Sequence, residues 1–597
     1  MKNVKALISY AQGQLSMYAL AFVFMICSQL IVTAQPQLIK ITIDSVIGTA
    51  ALSKSLLADC VALFSAHLYG IKGLLIMAGF ISVFALMRGI FTFARASIAG
   101  IATERTIQTL RNRLYNHIQL LPYSYHAKIK TGDLIQRCTS DIDTIRLALS
   151  SQILDTISSV FLIIYIVYIM VRLNIQLMFI SFAGMFMTFF LSACFFKWVQ
   201  KQFKKATEYE SAMTAAIQEN LTGIRIVKAF TRHQYEMEKF EKCSECYRDQ
   251  NLKIDTGYAF FWAASDFILR AQICFTLAYG SILAYRGIIS AGDLIAFVSY
   301  TTMITRPVNS LGRTISNMGR TLVSVNRLET IFNEKVETLF PTGKQPTITG
   351  DIVFNAVSFA YPEAETHKIL HNLSFSIKNG QTLAIMGPTG SGKSSLVHLL
   401  ARLYEYDAGS ITINGMELNT IDKGWVRSQI GLILQEPFLF GKTIMENLKL
   451  AAPEAPDSLA HYYAKIASLD NEIDQFQKGY ETMVGERGVS LSGGQKQRLV
   501  IARSLIKNAP VLIFDDSLSA VDTQTDSAIR AALKAEKGNK TIIIISHRIA
   551  TVCEADKIIV LEHGTITQEG THSELIAQEG LYKRIYDIQS AMQDTGE

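Results

Sequence analysis

The sequence predicts a multi-domain chain, with an all-α six-helix transmembrane domain followed by an α/β domain. Three observations predict it. Apolar residues are concentrated before residue 320, in segments long enough to cross a bilayer. From Asp351 onward, short β-rich runs alternate with helical stretches. One of those runs, Thr382-Leu-Ala-Ile-Met386, leads directly into a glycine-rich loop that ends in Lys393 and Ser394.

At 597 residues the chain is too long for one core, so two or more domains are expected. It is 49% hydrophobic and only 18% charged, with a mean hydropathy of +0.23. The net charge of +6 lies largely on loops that flank apolar segments, so it is not a nucleic-acid footprint. The eight cysteines show no paired framework. Cys243 and Cys246 form a lone CxxC in a charged helical stretch, where a metal or redox site would need more ligands nearby. A reduced, cytoplasmic environment for most of the chain fits this pattern.

Lys2 and Lys5 precede an apolar run from Met17 to about Thr33. The run is long for a signal-peptide core and no small-x-small cleavage site follows it, so it reads as an uncleaved first transmembrane helix. Further apolar segments make six in all, at 17–45, 70–98, 150–171, 174–197, 259–285 and 291–315. In lipid only helices or closed barrels satisfy every backbone polar group, and these lengths suit helices. The third and fourth spans are joined by little more than Arg172–Asn174, the fifth and sixth by a turn at Arg286-Gly287. The connectors after the second and fourth spans are long and basic. The first includes Arg105, Arg111, Arg113, Lys128 and Arg137, the second Lys201, Lys204, Lys205, Arg225 and Lys228. The positive-inside bias places both connectors, the N-terminus and the C-terminal half in the cytoplasm of a multi-pass cell-membrane protein. Their apolar periodicity extends the helices beyond the bilayer, with turns near Pro122–His126 and Gly223–Lys228 that could press on a cytoplasmic domain.

Within the spans, Asp266 and Arg270 are four residues apart and could pair on one helix face. They either serve a substrate at depth or lie unremarkably near the cytoplasmic end. The Met- and Phe-rich fourth span (Met178 to Phe196) either lines an adaptable cavity or faces lipid. Pro307 should loosen the sixth span.

The expected division is 1–330 for the transmembrane domain, 331–350 for a Pro- and Gly-bearing linker, and 351–597 for the α/β domain. In the last part, Gly387, Pro388, Thr389, Gly390, Ser391, Gly392, Lys393, Ser394 and Ser395 follow a buried strand and open a helix. That context defines a P-loop, in which backbone N–H groups cradle phosphates, Lys393 adds a cation and Ser394 can hold Mg²⁺. A second buried strand, Val511–Asp515, ends in a carboxylate suited to Mg²⁺, and Asp516 follows where a general base belongs. Tyr361 precedes Pro362 and could stack on adenine. Gln435 follows the strand 430–434, and His547 follows Thr541–Ile545, from which it could reach a γ-phosphate.

With these motifs in this order, and with Glu486-Arg-Gly488, Leu491-Ser-Gly-Gly-Gln495, Ser519-Ala-Val-Asp522 and Gly570-Thr-His572 among them, the chain resembles the ATP-binding cassette (ABC) family over essentially its whole length. More narrowly it resembles exporter-type half-transporters. The resemblance implies an α/β P-loop NTPase cassette that binds ATP with Mg²⁺ held by Ser394, Gln435 and Asp515, and a catalytic group of Asp516, Gln435 and His547. It also implies a dimer in which Ser492, Gly493, Gly494 and Gln495 contact ATP held by the partner. The family usually carries Glu at the position of Asp516. The loss of one methylene implies a site that binds ATP and hydrolyses it poorly, as in the degenerate-site subunit of bacterial heterodimeric multidrug exporters, so a different half-transporter is the expected partner, with a homodimer that manages with Asp as the alternative. The expected activity is ATP-driven outward movement of amphipathic drugs or lipids, with lipid or peptide translocation, or an ATP-gated channel or regulatory subunit, as alternatives.

Overall fold

The structure is a computed structural model, and it describes residues 2–47, 70–337, 344–348, 350–362, 367–485, 488, 490–518, 521, 523–535 and 540–594. Its contacts divide the chain into two compact units, 1–119 with 131–334, and 120–130 with 335–597.

The first unit is helical. Its long helices are Leu15–Ile41, Gly70–Gln119, Ile153–Leu173, Ile175–Thr222, His233–Tyr285 and Ala291–Phe332. Those of 48 to 53 residues rise about 70–80 Å, more than twice a ~30 Å hydrocarbon core. They therefore project well past the bilayer, as the periodicity of the connectors predicts. Among the described residues five helices are long and apolar enough to span a membrane, and Ala291–Phe332 is not one of them. The expected sixth span is a single helix of 42 residues, but Thr301, Thr302, Thr305 and Arg306 make it too polar to qualify by composition.

Two polar devices close the tight connections. Asn174, between Leu173 and Ile175, caps the following helix by accepting from the Leu177 N–H at 3.0 Å. Ser290 and Asp293 form a capping box at the start of Ala291–Phe332. Asp44 reinforces it, accepting from Ser290 Oγ at 2.6 Å and from the Gly292 N–H at 2.9 Å. Where sharp turns are expected the chain instead forms short helices, Tyr123–Lys128 and Ile224–Ala229.

The second unit contains two sheets. An antiparallel sheet has the order β2-β1-β4-β5, with β1 Ile352–Ala360, β2 Lys368–Ile377, β4 Ala408–Ile413 and β5 Met416–Glu417. The larger sheet runs β10-β9-β3-β8-β7-β6, with β3 Thr382–Met386, β6 Ile430–Ile433, β7 Val511–Asp515, β8 Thr541–Ile545, β9 Lys557–Glu562 and β10 Thr565–Gly570. All its neighbours pair in parallel except β9 with β10. Parallel strands covered on both faces read as unbroken apolar runs; accordingly β7 is buried at every position. Two apolar clusters cover this sheet. One holds Leu383, Leu396, Leu400 and Ile543. The other holds Leu439, Leu499, Leu505 and Phe514.

Small residues let the membrane helices approach. A Cβ on Gly257 would lie 2.4 Å from the Trp198 ring. The variant Gly257→Val should therefore lose about 1–3 kcal/mol through overpacking, visible as a lower unfolding midpoint of the purified chain. An unchanged midpoint would contradict this packing.

Candidate functional site

In an open α/β sheet, ligands collect at the carboxyl ends of parallel strands. Here β3, β8, β7 and β6 are consecutive neighbours. At or just beyond their carboxyl ends lie the P-loop, His547, Asp515 with Asp516, and Gln435. The sheet order thus brings to one edge the groups that lie up to 160 positions apart in sequence (387 and 547).

The loop's underside is packed and its crest is open. Gly387 (φ +149°) and Gly392 (φ +99°) occupy backbone conformations that side chains rarely adopt. A Cβ on Gly387 would sit 2.1 Å from the Leu561 carbonyl oxygen of β9, and one on Gly392 would sit 2.5 Å from Leu370. At Gly390 a Cβ would meet nothing within 4 Å, and Pro388, Thr389 and Gly390 are exposed. Ser391 Oγ is buried without a hydrogen-bond partner among the described residues. Ser391 and the open crest fit an anion with several acceptor oxygens.

Lys393 opens the helix Lys393–Leu400. It is buried, and its Nζ donates to the carbonyl oxygens of Gly387 at 2.9 Å and Pro388 at 2.8 Å. Burial pushes the ammonium below its ordinary pKa, opposed by the charges of Asp515 and Asp516. Ser394 Oγ donates to Asp515 Oδ1 at 3.0 Å. Asp515 is itself buried, and that burial pushes its carboxyl up, offset in part by Ser394 and His398. A hydroxyl and a carboxylate so placed form a pair of hard oxygen donors suited to Mg²⁺.

Asp516 has φ +45°, a strained value for a residue with a side chain and one that clusters at functional sites. Its N–H donates to the Ile545 carbonyl oxygen at 3.0 Å, which ties β7's end to β8. Gln435 Nε2 donates to Asp516 Oδ2 across a long 3.4 Å. The imidazole of His547 is pushed below the ordinary histidine value by the protein around it and then by Lys393, against the pull of Asp516. The neutral ring that results can accept or donate a hydrogen bond.

Tyr361 sits to one side of this edge. Its hydroxyl hydrogen-bonds Ser395 Oγ at 2.8 Å, and its ring packs edge-on against Phe359 and Tyr404 at centroid distances of 4.9 and 5.0 Å. The next ring of this group comes from the Pro122–His126 turn, a segment expected to press on a cytoplasmic domain, though the ring itself was not singled out. Tyr123, on the short helix Tyr123–Lys128, lies 5.6 Å from Tyr404 and 5.8 Å from His398. Only an apolar-aromatic bias around Tyr123 could have signalled it.

The motif Leu491–Gln495 forms the start of a 14-residue helix, Gly493–Ile506. Ser492 and Gln495 make a capping box: Ser492 Oγ accepts from the Gln495 N–H, and Gln495 Oε1 accepts from the Ser492 N–H at 2.8 Å. Gln495 is further held by Glu472 Oε2 at 2.9 Å. Ser492 and Gly493 are exposed, and Gly494 beside them is partly exposed. This helix packs in the cluster of Leu439 and Phe514, whereas the P-loop helix packs in that of Leu383 and Ile543. No hydrogen bond or ion pair joins the two motifs among the described residues. Glu486, Arg487, Ser519, Ala520 and Asp522 lie outside the described residues.

In the first unit, Asp266 and Arg270 pair at 2.7 Å, with their side chains 55% and 75% exposed. The Met- and Phe-rich helix turns Phe179, Phe186, Met187 and Phe190 outward.

Comparison with known proteins agrees with this architecture. Residues 18–308 match the family described as the ABC transporter transmembrane region, and residues 370–519 match the ABC transporter family. The chain is 35% identical over 513 residues to an uncharacterized ABC transporter ATP-binding protein, YknU, of Bacillus subtilis, covering 86% of this chain and 87% of that one. It is 33% identical over 561 residues to a putative multidrug export ATP-binding/permease protein of Staphylococcus aureus, covering 93% and 94%. Among solved structures, a bacterial Atm1-family ABC exporter with ATP bound superposes with a TM-score of 0.77, at 24% identity over 96% of this chain and 98% of that one. At that identity the likeness concerns the fold.

The loop geometry separates two glycine substitutions. Gly387→Ala drives a Cβ into immovable backbone and should lower the unfolding midpoint and weaken ATP binding at least tenfold. Gly390→Ala meets open space and carries only the strain of a side chain at φ +82°, about 1–2 kcal/mol, so it should be the milder of the two. Thermal unfolding and ATP titration of both variants check this; equal effects would contradict it.

Proposed function

The chain belongs to the ABC transporter family and is an ATPase coupled to transmembrane transport, and from that premise we propose that it is one subunit of an exporter that moves amphipathic drugs or lipids outward from the cytoplasmic side. The observation that carries this reading is the composite edge of the large sheet. There Lys393 and the Ser394–Asp515 pair underlie an open phosphate cradle, while the capped helix at Ser492 opens elsewhere on the same unit.

In this reading the β- and γ-phosphates lie on the Gly387–Ser395 backbone, with Lys393 turned toward them. Ser394, Asp515 and Gln435 would hold Mg²⁺, directly or through water, and the ion would supply charge neutralisation of the phosphates. Tyr361 would stack on the base. His547 would hydrogen-bond the γ-phosphate, and Asp516 would orient the attacking water. Ser492, Gly493, Gly494 and Gln495 would complete the nucleotide site of a second half-transporter, and that partner's signature would complete this one. ATP favours the closed dimer only through its higher affinity for that state. The Tyr123–Lys128 helix, in contact with Tyr404 and His398, would carry closure toward the spans. The N-terminus and the ATP-binding part would lie in the cytoplasm, with the chain in the cell membrane.

Asp516 sets the rate. Its carboxylate ends one methylene short of a glutamate, and a shift of about an ångström in such a group costs on the order of a hundredfold. The partner is accordingly a different half-transporter that carries Glu at the matching position. The purified lone chain should bind ATP, hydrolyse it slowly, and gain roughly ten- to a hundredfold in rate on Asp516→Glu. Lys393→Ala should abolish ATP retention. Rapid, Lys393-dependent hydrolysis by the unaltered lone chain, unchanged by Asp516→Glu, would overturn the asymmetric reading.

A further inference from the structure

The first unit contains a cavity of about 1340 Å³ between the helices Leu15–Ile41, Gly70–Gln119, Ile153–Leu173 and Ala291–Phe332. Its walls are mostly hydroxyl, amide and charged side chains, and its charge is lopsided. Arg88, Arg95 and Arg306 face a single acid, Asp155. Arg95 Nη1 donates to Asp155 Oδ1 at 2.9 Å, so that acid is already engaged. Arg88 and Arg306 are exposed and make no ion pair or hydrogen bond among the described residues. Both fall in apolar segments, 70–98 and 291–315, where an uncompensated guanidinium is costly and marks a pathway or binding group. Val32, Val298 and Met303, each part-exposed, line the same space and offer apolar surface, the methionine a pliable one. Pro307, beside Arg306, cannot donate to the Met303 carbonyl, which leaves an additional acceptor at this wall.

We propose that this cavity binds an amphipathic molecule with an anionic head (a carboxylate, sulfate or phosphate), the head between Arg88 and Arg306 and the apolar body on Val32, Val298 and Met303. The inference rests on the export reading and narrows its substrate class. Arginine suits this task because its planar fork matches the oxygens of such heads in paired hydrogen bonds. A cationic amphipath would meet two unneutralised guanidinium groups. The Asp266–Arg270 pair takes no part, since neither residue lines the cavity.

The test uses the full chain in phosphatidylcholine nanodiscs, with empty nanodiscs as the partition control. Two fluorescent probes of equal chain length are titrated, dansyl-undecanoic acid and dansyl-undecylamine. The carboxylate should bind at least tenfold more tightly than the amine. Arg88→Gln and Arg306→Gln should each weaken the carboxylate about tenfold and leave the amine and ATP binding unchanged, the latter showing that the variants fold. Arg88→Lys and Arg306→Lys, which keep the charge and lose the paired fork, should fall between the glutamine variants and the unaltered chain. Displacement of the carboxylate by added phosphatidylglycerol would assign the site to a lipid head, and its absence to a free solute. The proposal falls if the amine binds as tightly as the acid, or if the double glutamine variant keeps the preference. Carboxylate binding without ATP-driven accumulation in inside-out vesicles would sink the export reading and leave the site standing.

Discussion

The nucleotide-binding part of the molecule depends on the register of four parallel strands. With β3, β8, β7 and β6 paired side by side, chain segments distant in sequence end on one line about 4.8 Å apart from strand to strand. A slip in one strand would carry Asp515 or His547 away from the loop. The glycines then set how deeply the loop can seat, because Gly387 rests against the Leu561 carbonyl oxygen with no room for a side chain. Lys393 and Ser394 inherit their positions from that seat: one is buried under the loop, the other is bonded to Asp515.

Asp516 shows how local strain and chemistry meet. The end of β7 must turn sharply while its N–H still pairs with the Ile545 carbonyl oxygen of β8, and this holds a non-glycine residue at positive φ. The same turn aims the carboxylate toward Gln435. A shorter side chain at so constrained a position has little backbone freedom to make up its lost reach, and on the proposed reading this is where one methylene would tell.

Much of this was legible in the sequence. Apolar runs located the buried strands 382–386, 511–515 and 541–545, and the glycine spacing located the loop, because both are dictated by local chemistry. The short helices at Tyr123–Lys128 and Ile224–Ala229 were legible only as turns, since a six-residue helix carries too little periodicity to declare itself. The Pro122–His126 turn was legible as a segment that could press on a cytoplasmic domain, but the ring contacts Tyr361–Tyr404–Tyr123 were not, because they join residues far apart in sequence. The sequence marked six apolar segments; five of the corresponding helices are apolar enough to span a membrane among the described residues, while the sixth, Ala291–Phe332, is more polar than its first stretch suggested. Three of its polar residues, Thr302, Arg306 and Asn317, line a cavity. Attention to the Met- and Phe-rich helix was drawn by bulk, while the wall is built from arginines and hydroxyls on other helices.

The P-loop and the Ser492 cap pack in different apolar clusters and share no hydrogen bond among the described residues, and in the proposed reading a second chain closes the site. Hydrogen exchange on the assembled transporter, with and without ATP and Mg²⁺, measures this most directly. The account predicts that ATP protects the backbone amides of both the Gly387–Ser395 loop and the Ser492–Gln495 cap. Protection of the loop alone, with the cap exchanging at its nucleotide-free rate, would contradict it.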